Sequence, residues 1–585
     1  MSVPQYYTNE QNVQIVIALL KAHGIKRVIA SPGTTNMTFI GSIQNDPWFE
    51  IYSSVDERSA AYLACGLASE TGEPVVISCT GATASRNYMP GLTEAYYRKL
   101  PVLAITSHRG EQQIGHLLDQ QIDRRSLPND IAMCSVTVPM VKESSDEGFC
   151  FIEATKAILA LSRHGGGPAH INMYTGYSQD FSVKELPKVR KIERHTVFSQ
   201  LPDIPEGKRV VIFIGSHRPF TQSETKAIDD FCEAHDSVVF CDQTSGYRGK
   251  FETHFSIFFT QDNYMNPLLK ADILIHLGEV SADKARMNIG GVWRVNEDGE
   301  IRNTFGVLTR VFEMNEEYFF KSYTPESYEP RTDLYDACQE SLRQAFSALP
   351  ELPFSNIWMA QQIHDKLPEN CEFHMGIYNS LRSYNYFQLP KSVNSCCNVG
   401  GFGIDGGVSS LIGASLANPD KLHLGVFGDL AFFYDMNVCG NRHVGSNVRI
   451  LLVNNAKGNE FRNYGHYCSI FGEEGDKYIA AAGHYGNKST QLIRHYAEDL
   501  GYDYYFASDK TSFLENYSHF IDPQPHEKPM IFEVFTDTEG ESGAVEIMRT
   551  FLIDNKMVLK NKVMKVIRGS LGKKGIETVK KILRK

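Results

Sequence analysis

LHLGVFGDLAFFYDMNVCGNRHVGSNVRILLVNNAKGNEF, residues 422–461, holds two apolar runs that each end in a polar pair, Gly428-Asp429 and Asn454-Asn455. An apolar, β-branched run bounded by turn residues is a buried strand, and two such strands with a helical stretch between them form a unit of a parallel sheet. In an open parallel sheet the carboxyl ends of the strands face one crevice, so Asp429 and Asn455, 26 positions apart, converge there. Two oxygen side chains then look into one site. A hard divalent cation such as Mg²⁺ takes oxygen ligands and keeps phosphate and water among them. The pair therefore suits a metal-held diphosphate, with the carbonyl of Lys457 as a third protein ligand. Both dipeptides also serve as plain turns, and on their own they leave that alternative open.

The same rhythm extends outward. RVIASPG (27–33), EIYSSVDE (50–57), VVISCTG (75–81) and VLAITSH (102–108) each precede a helical pattern, and a second block runs through KRVVIFIGS (208–216), SVVFCDQ (237–243) and DILIHLGEV (272–280). The expected architecture is three open parallel-sheet α/β domains, at residues 1–188, 189–345 and 346–550, with a separate tail at 551–585. KSYTPESYEPRTD (321–333) reads as a linker. Within the first block, Val55 to Ala60 closes a strand and opens the run AAYLACGLASETG, which leaves Glu57 at the mouth of the sheet. A carboxylate there is also what a helix dipole favours.

Composition sets outer limits. The 585 residues carry 58 Lys plus Arg against 69 Asp plus Glu, a net charge of −11, which argues against a nucleic-acid binder working through general electrostatics. The charge is uneven: residues 556–585 hold eleven Lys or Arg and only Glu577 among acids, so this tail carries +10. Its lysines alternate with Val558, Leu559, Val563, Met564, Val566, Ile567 and Leu571. Such a segment suits peripheral contact with an anionic membrane face, and equally a solvated arm over an acidic body. No run of 18 apolar residues and no signal-peptide pattern is present, so a cytoplasmic location is expected. The twelve cysteines are scattered without a CxxC pair, which suggests neither a disulfide framework nor a zinc site.

Taken together, the strand-Glu57-helix arrangement, CTGATASRNYMPGLTEAYYRKLP (79–101) and the GD and NN pairs resemble the thiamine-diphosphate-dependent 2-oxo acid decarboxylase and acetohydroxyacid synthase superfamily. Within it, the likeness is greatest to 2-succinyl-5-enolpyruvyl-6-hydroxy-3-cyclohexene-1-carboxylate synthases of the menaquinone pathway. Their SPGSR corresponds to Ser31-Pro32-Gly33-Thr34-Thr35, and their DERSA is matched at Asp56–Ala60. A TADR-like stretch corresponds to Thr106–Arg109, SGIDG to Phe402–Gly406 and GDL to Gly428-Asp429-Leu430. The resemblance implies thiamine diphosphate and Mg²⁺ as cofactors. It makes Glu57 the carboxyl that shares a proton with N1′ of the aminopyrimidine. It makes Ile404 the fulcrum that bends the cofactor, and it places Gly428, Asp429, Leu430, Asn455 and Phe461 around it. It also implies a homodimer or homotetramer whose active sites lie between subunits. The central domain is expected to lack FAD, since Ile214-Gly215 is too short a phosphate-binding signal. No adjacent His-His pair occurs in the first domain, although His108 and His116 lie near one another in sequence. That absence leans the reading from decarboxylase toward carboligase.

Departures from the resemblance concern substrate. Thr35, Val399 and Tyr384 stand where those synthases have arginines, and each lost charge-assisted bond to a carboxylate is worth roughly 1.5–3 kcal/mol. Thr34, Arg109, Gln120, Lys284 and Ser380 remain as substrate candidates, with Ala285 and Arg286 beside Lys284. Glu460 replaces an apolar residue and is expected to repel a second carboxylate. The function expected is a carboligase that decarboxylates a small-molecule 2-oxo acid donor and passes the acyl unit to a polar acceptor. A 2-oxo acid decarboxylase releasing an aldehyde is one alternative, and a non-catalytic structural or regulatory relative is another. Retention of Glu57, Asp429 and Asn455 together speaks against the last, because a scaffold has no physical need of all three.

Overall fold

The computed structural model describes residues 6–124, 126–282, 285–484, 488–555 and 557. Lys284 and the basic tail beyond 557 lie outside the described residues. The chain carries three parallel α/β sheets, and it divides into two units: Met1–Leu201 with Asp298–Glu313, and Pro202–Glu297 with Met314–Lys585.

In the first unit six strands lie in the order Glu50–Ser53, Arg27–Ala30, Val75–Thr80, Val102–His108, Ala169–Tyr174, Cys134–Val138. The two central ones are buried almost throughout, as a parallel sheet covered on both faces requires. The helix Glu57–Thr71 starts where the Asp56 carboxylate accepts the Ser59 N–H and stops at Gly72, whose φ of 67° only glycine adopts freely. Its inward stripe of Ala60, Ala61, Ala64, Cys65 and Ala68 is small. The helix Met89–Tyr97 therefore approaches so closely that a Cβ on Gly91 would sit 2.4 Å from that of Ala61. This unit also pairs Glu193–Thr196 in parallel with Leu308–Glu313.

The second unit contains two sheets. Five strands run in the order Glu252–Thr253, Val239–Cys241, Val210–Ile214, Lys270–Leu277, Asn288–Val295. Six run in the order Asn394–Cys397, Glu372–Met375, His423–Gly428, Val448–Asn454, Met530–Phe535, Asp503–Ala507. The stretch 321–333 differs from its reading as a linker at both ends. Its first three residues finish the helix Glu316–Tyr323, which Asn315 caps and which buries Phe319 and Phe320, and Asp333 opens the helix Asp333–Ala348. Burial of two phenylalanines outweighs the helix-breaking composition just beyond them. No helix among the described residues is long and apolar enough to cross a membrane.

The helix Thr538–Thr550 carries Glu541, only 3% exposed, which accepts the Asn356 N–H at 3.2 Å on each oxygen and the Thr536 hydroxyl at 2.8 Å. Burial pushes its carboxyl up to about 7. The unfolded chain loses this proton near the ordinary value of 4.5 while the native chain keeps it, so the stabilisation is complete below that value and is lost as pH rises through about 7. The loss is expected to be on the order of 3 kcal/mol and to vanish in Glu541→Gln. Denaturant titrations of both proteins across this range measure it.

Candidate active site

Register brings the two polar dipeptides together. Gly428 pairs with Val453 and Asn454 with Phe535, so Asp429 and Asn455 leave adjacent strands at the same end of the sheet. Asp429 is buried as the first residue of the helix Asp429–Asp435. Its carboxylate accepts the Leu430 N–H at 2.8 Å and the backbone N–H groups of Asn455 and Ala456. Burial nevertheless prevails over these donors and pushes its carboxyl up to about 7. The side-chain oxygen of Asn455 is buried without any hydrogen-bond partner among the described residues. A desolvated carboxylate beside an orphaned amide oxygen is an oxygen pair short of a cation. That donor set fits Mg²⁺. A Cβ on Gly428 would meet nothing within 4 Å, so space lies open at the strand end. Ala456 turns the chain at φ 69°, and the Lys457 carbonyl accepts the Asn459 N–H at 2.8 Å, with its second lone pair left for another partner. The Lys457 ammonium is held by Asp476 at 2.7 Å.

Ile404 is half-buried in the turn before the helix Gly407–Ala417, and the Tyr378 hydroxyl fixes that turn through the Phe402 carbonyl at 3.0 Å. Leu430 and Phe461 are also half-buried, the latter edge-on to His466 at 5.5 Å. The expectation that Glu460 acts as a bare repelling acid is corrected here. Its carboxylate is ion-paired with Arg382, two residues beyond Ser380, so the charge is neutralised locally. Both residues line a cavity of about 580 Å³ together with Arg286 and Arg549. Arg549 pairs with Asp262 at 2.7 Å, whereas Arg286 donates to the Gln261 carbonyl at 2.9 Å. Ser380 and Tyr384 lie buried, and Tyr384 packs its ring on Phe373 at 4.8 Å. The arginine replaced at Tyr384 has thus given way to a core aromatic. Reading the sequence motif by motif missed Arg382 and Arg549, because no local pattern surrounds them.

In the first unit, Glu57 opens its helix half-buried and accepts from the Asn87 amide at 3.3 Å. Gly33 passes so close to Thr80 that a Cβ would overlap its methyl at 1.9 Å, which holds the 31–35 loop against the central strand. Thr34 is exposed, while the Thr35 hydroxyl donates to the Ser107 carbonyl at 2.6 Å and is buried. Val399, in the second unit, is also buried. Arg109 bonds the Asp119 carbonyl at 2.8 Å and its carboxylate at 3.0 Å, and Gln120 is exposed at φ 59°. A second guanidinium went unnoticed in the sequence: Arg124 is buried and donates to Thr106 at 2.6 Å and Asn172 at 2.5 Å. Burial among neutral partners draws its pKa down to about 10.

Residues 11–127, which contain Glu57 and the 31–35 loop, match the family described as thiamine pyrophosphate enzyme, N-terminal TPP binding domain. In that region the chain is similar to thiamine-diphosphate-dependent enzymes. Over most of its length it is similar to 2-succinyl-5-enolpyruvyl-6-hydroxy-3-cyclohexene-1-carboxylate synthases. That of Bacteroides thetaiotaomicron is 29% identical over 555 residues, covering 92% of this chain and 98% of the relative. That of Phocaeicola vulgatus is 29% identical over 556 residues, covering 92% and 97%. That of Flavobacterium johnsoniae is 26% identical over 557 residues, covering 90% and 96%.

Proposed function

We propose that the protein is a thiamine-diphosphate- and Mg²⁺-dependent carboligase that decarboxylates a 2-oxo acid and transfers the remaining acyl unit to a polar acceptor. The observation that carries this reading is the buried Asp429 beside the partnerless Asn455 oxygen. Asp429 and Asn455, with the Lys457 carbonyl, would hold the metal and through it the diphosphate. Bound cofactor supplies the carbanion chemistry, and the chain's own residues supply orientation, charge and proton handling. Glu57 would hold a proton at the aminopyrimidine N1′, and Ile404 would support the bent cofactor. Gly428, Leu430 and Phe461 would line its seat. By the resemblance, the pyrimidine and diphosphate sites come from different subunits, so the working unit is a homo-oligomer.

Substrate charge follows from the cavity. Two of its guanidiniums already face carboxylates, Arg382 on Glu460 and Arg549 on Asp262. Arg286, bonded to a carbonyl, is the cation best able to accept one substrate carboxylate or phosphate. A donor with a single anionic group is therefore favoured, with Arg109, Gln120, Thr34, Thr35, Lys284 and Ser380 as further candidates for substrate contact. The relatives' names describe a product with more than one carboxylate. Turnover of 2-oxoglutarate with isochorismate is expected to be poor in comparison with the best monoanionic donor.

The test is to incubate the protein with thiamine diphosphate, Mg²⁺, a panel of 2-oxo acids and polar or enoate acceptors, and to weigh the products. A product of donor minus carbon dioxide plus acceptor supports the carboligase, and a free aldehyde as the sole product marks a decarboxylase. Efficient turnover of the 2-oxoglutarate and isochorismate pair would overturn the substrate argument.

A further inference from the structure

A second cluster with ligand chemistry lies among the five second-unit strands that run from Glu252–Thr253 to Asn288–Val295. The short strands Val239–Cys241 and Glu252–Thr253 pair in parallel, Glu252 opposite Val239 and Thr253 opposite Phe240. Continuing that register sets His254 opposite Cys241. Side chains two apart on a strand share a face, so Cys241, Glu252 and His254 come together on one side. All three are at most 3% exposed, and one ligand atom from each lies within 4.8 Å of the others. His254 Nε2 is 3.0 Å from Glu252 Oε1, and Arg248 reaches that same oxygen at 3.0 Å. Glu252 Oε2 is buried without a hydrogen-bond partner among the described residues. A fully buried carboxylate oxygen with no donor is costly unless something else occupies its lone pairs.

From this geometry we propose that Cys241, Glu252 and His254 bind a borderline transition-metal ion of the Zn²⁺ type, at a site apart from the Asp429 crevice. Sulfur, imidazole nitrogen and one carboxylate oxygen are ligands that Zn²⁺ takes together and that Mg²⁺ does not. Tetrahedral ligand atoms around zinc sit about 3.5 Å apart, so side-chain adjustments on the order of an ångström close the cluster on an ion. Binding converts the Cys241 thiol to a thiolate and releases its proton to solvent. The His254 ring proton moves to Nδ1 and Nε2 gives its lone pair to the metal, which requires the Gln243 amide nitrogen, a donor 3.5 Å from Nδ1, to draw back from it. Thiolate and carboxylate then offset the dication, and the Arg248 guanidinium is left as the net charge of the cluster. Arg248, held by Ser395 at 2.6 Å and by the Tyr247 carbonyl at 2.9 Å, keeps Oε1 oriented so that Oε2 serves as ligand. An entry path exists, because His254 lines a cavity of about 940 Å³ together with His364 and Phe387. The ion would tie the ends of two strands only three and two residues long, which have little ladder of their own.

The test uses the full-length protein stripped of transition metals and kept in excess Mg²⁺ and thiamine diphosphate, into which Co²⁺ is titrated. The expected result is a thiolate-to-cobalt charge-transfer band that saturates at one ion per chain, with one proton released per ion. Cys241→Ser is expected to abolish the band, and His254→Gln to weaken binding by about tenfold or more while leaving thiolate character in the spectrum. Both variants are checked for native circular dichroism, and should Cys241→Ser fail that check, the His254→Gln affinity decides. Asp429→Ala is expected to leave the band unchanged. The proposal is overturned if the wild type gives no band. It is also overturned by an unchanged band in folded Cys241→Ser, which would place the thiolate on another cysteine, or by unchanged affinity in His254→Gln.

Discussion

Asp429→Ala is expected to abolish metal-dependent binding of thiamine diphosphate. The diphosphate would otherwise face a crevice whose remaining side-chain ligand is the neutral Asn455 amide, and a neutral oxygen cannot hold a dication against water. Leaving one buried member of such a charge pair without its partner costs about 3–5 kcal/mol, which is a factor of roughly a hundred to a few thousand in affinity. The fold itself should tolerate the change. Asp429 sits buried with its carboxyl pushed up to about 7, so above that pH the metal-free chain carries a desolvated charge that alanine removes. Stability of the metal-free variant is therefore expected to be no lower than that of the wild type near pH 8, and free of the fall that the wild-type residue adds as pH rises through about 7. Calorimetry with cofactor in the presence and absence of Mg²⁺ reads the binding, and thermal unfolding without metal reads the fold. Undiminished cofactor binding by Asp429→Ala in excess chelator would remove the premise of the proposed function.

The parts of the site that were legible in the sequence are those written in contiguous residues. HLGVFGDL and VRILLVNN announce buried strands because a sheet covered on both faces needs apolar side chains in both directions, and the polar pair ending each run marks where the strand leaves the core. Convergence of Asp429 and Asn455 then follows from parallel topology alone. What stayed hidden depends on pairs distant along the chain. Glu460 looked like an unpaired acid because its partner Arg382 lies 78 positions away on a different helix. The Thr35 hydroxyl donates to the Ser107 carbonyl 72 positions on, a pairing that no local pattern announces. The Cys241, Glu252 and His254 cluster escaped a search for CxxC spacing because its order is set by strand register between very short strands. Arg124 carries no motif, and only its burial among Thr106 and Asn172 makes it noticeable. Local patterns thus specify where strands end, and charge balance between distant elements decides what each strand end presents.

For Glu57 the competing explanations make different predictions. A carboxylate in the first helical turn gains about 0.3–1 kcal/mol from the helix dipole, and that could be its whole role. The capping duty, however, is already discharged by Asp56, whose side chain accepts the Ser59 N–H at 3.1 Å. Glu57 instead turns toward Asn87, whose amide it accepts at 3.3 Å, and remains half-exposed at the mouth of the sheet. A residue that serves only the dipole has no reason to face across to a neighbouring helix. Glu57→Gln keeps the shape and one hydrogen-bonding oxygen but cannot share a proton with the aminopyrimidine. It is expected to bind thiamine diphosphate within a few-fold of wild type, to lose no more than about 1 kcal/mol of stability, and to lose about 10²–10⁴-fold in turnover. Exchange of the C2 hydrogen of bound cofactor, followed by NMR, separates proton handling from every later step. Slowed exchange with intact binding assigns the proton to Glu57, whereas exchange at the wild-type rate means that the side chain does no more than place a negative charge at the start of its helix.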